Sequence, residues 1–377
     1  MPQSKSPQLR SDPLPELLFA RDIRRLRQFA PAADGAGWLH PVQRALIHRR
    51  GWLRMLAPRA AGGAELPLPY AVRLEEAIAR ADGSMGWVVT LCAGAGWFAG
   101  FLPPALAREL IGTRRVCFAG SGAPTGHADV EGDGFRITGR WDYASGAPMG
   151  THFTLNAILR QDGEVLRDAA GNPRIRAFLV PAALVAPEPT WRSVGLRATA
   201  SHSYRIEGAW VAGEYGFEIG AATATAAGPL YRFPFYPLAY FTLSANLAGM
   251  AAHFIELARD AVARRRDPAS GAMLAELPAV RRRFARAERD IAEARTRFYR
   301  LLDEAWALVA EGGALDEAAT AGVKSASLEL VQACRGAVDE LYPYCGLHAA
   351  SELSDINRVW RDFHTATQHT LLLPLAD

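Results

Sequence analysis

Between about Arg115 and Phe217 the chain reads as strand, and on both sides of that stretch it reads as helix. FRITGRWDY and SYRIEGAWV alternate apolar and polar residues, the period of a half-buried strand, and EGDG, RQDGE and AAGNP separate the runs as turns. No helical pattern interrupts the run, so repeated βαβ units are excluded and an antiparallel β-domain is expected. The implied architecture is α+β in three domains: residues 1–112 helical, 113–222 the β-domain, and 223–377 a C-terminal four-helix bundle.

The flanks carry their own signals. LPELLFARDIRRLRQFA, VQRALIHRRGWLRML and YAVRLEEAIARADGSMGWVVTL have helical spacing from Leu14 onward, broken at Pro31, Pro41, Pro58, Pro67 and Pro69. After the Ala221–Gly228 connector, RRRFARAERDIAEARTRFYRLLDEAWALVAEG has no internal proline or glycine before its end. Phe284, Ala287, Ile291, Ala294, Phe298, Leu301, Ala305 and Leu308 recur at three- and four-residue steps, the apolar stripe of a bundle helix. A helix of this length often contributes to a subunit interface.

Composition removes several function classes. A net charge of +3 over 377 residues gives no electrostatic case for nucleic acid. Cys92, Cys117, Cys334 and Cys345 show no CxxC spacing, so neither a zinc site nor a disulfide framework is expected. The polar, proline-spaced start lacks a signal-like apolar core, and the apolar run Met85–Leu102 is interrupted by glycines, as in a buried helix rather than a membrane span. The cytoplasm is the default expectation. No G-x-G-x-x-G, Walker A or HExxH pattern is present, which argues against a nicotinamide-binding unit. His364 and His369, five residues apart, would point about 140° apart on a helix and make no metal pair.

Four segments carry a more specific signal: Ala123-Pro124-Thr125-Gly126; Gly139-Arg140-Trp141 through Ser145-Gly146; Gly195-Leu196-Arg197 through Ser201; and Trp360-Arg361-Asp362 through His369. In this order the chain resembles the acyl-CoA dehydrogenase superfamily over its full length. It looks most like the two-component flavin-dependent monooxygenases that hydroxylate phenols, steroid fragments and thiophenes. The resemblance implies a reduced flavin (FMN or FAD), a separate flavin reductase, a small aromatic or heteroatom-bearing substrate, and a homo-oligomer, tetramer or dimer.

The resemblance also assigns residues. Trp141 is expected as a flat wall beside the flavin ring, Ser145 as a hydrogen-bond donor near its N5, and Ser121 and Gly122 at its pyrimidine edge. Arg266 is expected at the phosphate end of a neighbouring subunit's flavin, with Gly346 also on the cofactor. His369, on one stripe of a terminal helix with Asp362 and Ala366, is the expected base, because imidazole titrates near operating pH; His364 is expected to be structural.

Two departures matter. Where acyl-CoA dehydrogenases often carry a catalytic glutamate, one residue beyond His369, this chain has Thr370, which weakens thioester dehydrogenation as the alternative. Where many of the monooxygenases carry a second histidine on the glycine-rich N-terminal helix, the nearest match is Ala95, which keeps a non-catalytic flavin-binding homologue as a second alternative.

Overall fold

A computed structural model describes residues 17–373; the polar start, with the helix onset expected at Leu14, and residues 374–377 lie outside the described residues. Five helices come first: α1 (Ala20–Ala36), α2 (Pro41–Arg50), α3 (Leu68–Ala81), α4 (Gly83–Trp97) and α5 (Pro104–Gly112). Nine strands follow: β1 (Phe118–Gly120), β2 (Gly126–Glu131), β3 (Gly134–Ala144), β4 (His152–Gln161), β5 (Glu164–Val165), β6 (Ile175–Pro181), β7 (Ala186–Glu188), β8 (His202–Ala212) and β9 (Gly216–Phe217). Helices resume with α6 (Pro229–Arg232), α7 (Phe235–Ala263), α8 (Pro278–Ala310), α9 (Glu317–Leu341) and α10 (Asp355–Ala366).

Local chemistry sets the helix starts. Pro41 opens α2 behind a reciprocal cap in which His40 Nδ1 accepts from the Val42 amide and Gln43 Oε1 from the His40 amide. Asp82, Asp316 and Ser354 cap α4, α9 and α10 by accepting amides of their first turns.

The sheet is mixed rather than antiparallel as expected. Its order is β7-β8-β3-β2-β4-β6-β9, and β4 runs parallel to both β1 and β2. β8 occupies one side of β3 and β2 the other, so β4 settles beyond β2; running opposite to β3, it runs with β2. Strand alternation is blind to this choice, because either pairing sense buries one face.

α3, α4 and α7 pack together as the apolar centre of the molecule. α4 through Phe101 and α7 are long and apolar enough to cross a membrane, yet most of each lies inside the protein, as expected for Met85–Leu102. On α8 the expected stripe is buried at Phe284, Ala287, Phe298 and Ala305, but Leu302 and Val309 replace Leu301 and Leu308 toward its end. A straight helix of period 3.6 drifts relative to a fixed pattern, and the buried line rotates by one residue. The interior also holds Glu75 on α3, fully buried with neither carboxyl oxygen bonded; burial pushes it up to about 8.

Candidate functional site

β3 decides what faces the site. Its inward residues Phe135, Ile137 and Trp141 alternate, and strict alternation would send Tyr143 inward as well. A register break between Trp141 and Ala144 intervenes: Tyr143 adopts φ +67 and swings outward, 72% exposed, while Ala144 enters the core. Bulges re-aim side chains in this way.

Trp141 is therefore not an exposed wall. Its indole is fully buried, stacks on Tyr204, donates to the Asn156 carbonyl, and fills the space that a Cβ on Gly126 or Gly139 would need. Beneath the 121–125 turn, the Thr154 carbonyl accepts from the Tyr204 hydroxyl and the Ser121 amide. Trp141 supports the turn from below, and the exposed ring beside Ser145 is that of Tyr143, with its edge toward Trp191.

Ser145 is held on three sides. Its carbonyl accepts the Cys92 thiol of α4, the following Gly146 amide donates to the Thr199 carbonyl, and its hydroxyl lies 2.9 Å from Ser201 Oγ. Ser201 Oγ lies 2.6 Å from Thr199 Oγ1, which reaches the Leu196 carbonyl at 2.8 Å. A carbonyl can only accept, so the single Thr199 proton goes to Leu196, the Ser201 proton to Thr199, and the Ser145 proton to Ser201. What Ser145 Oγ keeps free are lone pairs; it is an acceptor toward the site, not the donor expected.

The loop carrying this relay is strained. Among the described non-glycine residues with left-handed backbone are Tyr143, Leu196 and Ala200, all within this one site. Such conformations persist only where surrounding structure imposes them, and they gather at functional sites. At Leu196 α10 supplies that constraint: Asp362 Oδ1 accepts the Leu196 amide at 2.5 Å, and Arg361 donates to the Val194 carbonyl at 2.7 Å.

Ser121 and Gly122 lie on the exposed turn that follows β1. Among the described residues, the Ser121 hydroxyl and the Gly122 and Ala123 amides have no partner in the chain. β1 and the Ala147–Met149 turn after Ser145 lie in contact, so Ser121, Tyr143 and Ser145 share one rim of the sheet.

His369 departs from expectation in its backbone. α10 ends at Ala366, and His369 caps a 3-10 turn with ψ 132, so it does not continue the stripe of Asp362 and Ala366. The β-branched Thr365 and Thr367 favour a stop, and the Thr367 hydroxyl bonds back to the His364 carbonyl. Half-buried, the imidazole meets the edge of Trp87 on α4 at 5.8 Å between centroids, and burial lowers its pKa below the ordinary value. Its Nδ1 accepts the Leu371 amide, so the neutral ring carries its proton on Nε2. His364 lies over Trp360 and pairs with Asp339 at 3.2 Å.

Arg266 and Gly346 belong to other segments, and it is a neighbouring arginine that reaches Gly346. Arg266 is tied to its own loop through the Gly271 carbonyl, while Arg265 reaches the Tyr344 carbonyl and lies against Gly346, where a Cβ would stand 2.5 Å from the guanidinium carbon. Ala95 is buried on α4. An open depression of about 370 Å³ lined by Phe101, Arg176, Glu214, Phe217 and Thr225 includes none of the residues expected in the site.

An exposed aromatic face, an acceptor and a turn with unpaired amides suit a flat heterocycle with polar edges, and thus fit a flavin. The sequence reading assigned no role to Tyr143, to the Thr199–Ser201 relay or to Asp362, although GLRATAS and WRD contained the signal.

Residues 241–374 match the family "Acyl-CoA dehydrogenase, C-terminal domain". The chain is 26% identical to an indole-3-acetate monooxygenase of Acinetobacter baumannii over 327 residues, covering 86% of this chain and 82% of that protein. It is 24% identical over 332 residues to the flavin-dependent monooxygenase oxygenase subunit HsaA of Rhodococcus jostii, covering 86% and 85%. The fold superposes with TM-score 0.83 on XiaF from a Streptomyces species, solved with FADH2 and glycerol, at 22% identity and covering 93% and 91%.

Proposed function

We propose that the chain is the oxygenase component of a two-component flavin-dependent monooxygenase, because residues 241–374 match the C-terminal domain of acyl-CoA dehydrogenases and its near full-length relatives are monooxygenases, one of them a flavin-dependent oxygenase subunit. It takes reduced flavin from a separate reductase in the cytoplasm and hydroxylates an aromatic or heteroatom-bearing small molecule. Bound reduced flavin supplies the oxygen chemistry, one atom of O2 going to substrate and the other to water. The three domains, 1–112, 113–222 and 223–377, enclose the cofactor on this reading.

The chain's own residues bind, orient and handle protons. Tyr143 offers the ring face, Ser121 and the Gly122 amide hold the polar edge, and Ser145 Oγ accepts a hydrogen bond from the cofactor. The observation that carries the reading is the exposed Tyr143 ring beside a serine whose proton is already committed. His369, neutral and protonated on Nε2, positions the reacting proton there and is active only as the neutral ring; with Ala95 in place of a second histidine, that task falls to it alone. No carboxylate replaces Thr370, and Glu256 of α7 is tied up by Arg27 and Arg80, which disfavours α-proton removal from a thioester.

Arg266 and Gly346 serve the phosphate end of a flavin held mainly by another copy of the chain. Leu347 and Leu353, 91% and 97% exposed beside that place, and Val194 near Asp34 support burial in a homo-oligomer. Anaerobic titration with reduced flavin, then rapid mixing with oxygen and candidate aromatics, tests the reading. Tight reduced-flavin binding with oxygen insertion is expected; reduction of bound oxidised flavin by an acyl-CoA would replace it with the dehydrogenase reading.

A further inference from the structure

Two of the sequence motifs meet at a buried joint. The α10 carboxylate of Asp362, 1% exposed, accepts the Leu196 amide through Oδ1 and faces Ser84 Oγ at 3.4 Å through Oδ2. Charged groups surround it, and α7, which also packs on α10, brings the buried His253 toward Arg358 and Asp355. Asp34 of α1 is held by Arg361 and Arg197; Asp82, at the start of α4, is bonded to Gln43 of α2 and the Met85 amide; Arg358 of α10 pairs with Asp355. Asp362 itself has no arginine partner among the described residues, and its ligands are an amide and a hydroxyl.

Leu196 is the point where α10 grips the relay. Its amide goes to Asp362, and its carbonyl takes the Thr199 proton that sets the direction of Thr199, Ser201 and Ser145 in turn. We propose that Asp362 is a positioning residue for the cofactor-facing hydroxyl of Ser145: through Leu196 it fixes Ser145 as an acceptor, and so favours a reduced flavin, which bears N5–H, over an oxidised flavin, whose N5 has only a lone pair. The inference rests on the flavin reading of the site.

The joint also makes the grip depend on pH. Burial, then the nearby Asp82, push the Asp362 carboxyl up to about 7, with the Leu196 amide and Arg358 opposing. An ionised acceptor holds an amide more strongly than a neutral one. The anchor therefore tightens as pH rises through neutrality, and the preference for reduced flavin rises with it.

The test compares wild type with Asp362→Asn, which keeps an acceptor oxygen but cannot ionise, and with Thr199→Val, which cuts the relay below an intact anchor. One readout needs no flavin: hydrogen exchange of the 191–201 segment, corrected for intrinsic rates. The other is the ratio of affinities for reduced and oxidised flavin across roughly pH 5.5 to 8.5. Titration of free flavin is common to all proteins and cancels between them. Expected is extra protection of the Leu196 amide in wild type above neutrality, absent in Asp362→Asn, and a reduced-flavin preference that exceeds both variants by about 5- to 10-fold at high pH, converging with Asp362→Asn at low pH. Thr199→Val should lose the preference while keeping the protection. Equal protection in wild type and Asp362→Asn, or a wild type to Asp362→Asn preference ratio flat with pH, overturns the proposal. Absence of flavin binding in either redox state overturns the function proposed above and this inference with it, leaving the exchange data to judge the Leu196 anchor by itself.

Discussion

Gly195 lies so close to Arg361 that a Cβ at position 195 would stand 2.0 Å from the Arg361 carbonyl oxygen and 2.6 Å from the Asp362 amide nitrogen. The obstacle is helix backbone, which cannot rotate aside as a side chain can. The GLR segment of the β-region and the WRD segment of α10 thus dock main chain against main chain, and the Leu196–Asp362 bond depends on that approach.

Gly195→Ala should push the loop off α10. An overpacked contact of this kind costs about 1–3 kcal/mol, and the loop that moves carries the whole relay to Ser145. Denaturant unfolding should show the loss, with reduced-flavin affinity falling in the same protein. Wild-type stability in Gly195→Ala would mean that the two segments are less tightly joined than drawn.

Ser145→Ala should act on the cofactor. It removes the acceptor at the site and leaves Ser201 without its donor, a cost of about 1–3 kcal/mol for an unsatisfied buried group. Reduced-flavin binding should weaken, and oxygen should be consumed with hydrogen peroxide released in place of product. Product formed stoichiometrically with oxygen in Ser145→Ala would remove Ser145 from the site.

How much of this was legible in sequence depended on the physics involved. Strand alternation exposed the β-region, and the GLR and WRD segments carried the family resemblance but not the fact that they dock on each other. Alternation also misled: it put Trp141 and Tyr143 on the same face, and only the register break with φ +67 at Tyr143 separates them. Helical spacing likewise carried α10 on to His369, though the turn closed by the Thr367 hydroxyl stops it at Ala366. The pairing of β4 with β2 and the direction of the hydroxyl relay are set by contacts between distant segments, which a local pattern does not encode.

His369→Gln should retain flavin binding and lower the oxygen-transfer step by about 10²–10⁴-fold in single-turnover mixing. Burial favours the neutral ring, so wild type should lose activity only as pH falls below the ordinary histidine value, and His369→Gln should lack that acidic limb. A wild-type rate and an unchanged acidic limb in the variant would assign proton handling to another group.

Self-association should depend on the exposed leucines beyond α9. Leu353→Glu sets a charge where 97% of an apolar side chain is exposed in the isolated chain. If that surface is buried between copies, sedimentation should show dissociation toward 40.8 kDa and flavin affinity should fall together with it. A wild-type protein that sediments as a monomer with full flavin affinity would refute both the oligomer and the role of Arg266.

Glu75 gives a prediction independent of catalysis. Its folded pKa is raised to about 8 by burial, against an ordinary 4.5, so between those values the native state holds a proton that the unfolded chain releases. Stability contributed by this group is fully present below pH 4.5 and is lost as pH rises toward 8, at about 1.4 kcal/mol per pH unit at most. Glu75→Met has similar volume and no proton to hold. It should match wild type most nearly near pH 4.5 and exceed it increasingly up to about pH 8, where the gap levels off. Urea unfolding at a series of pH values reads the gap directly. A constant difference between the two proteins over that range would show that Glu75 is not kept neutral by its surroundings, and that its two unbonded oxygens reach solvent or a partner in solution.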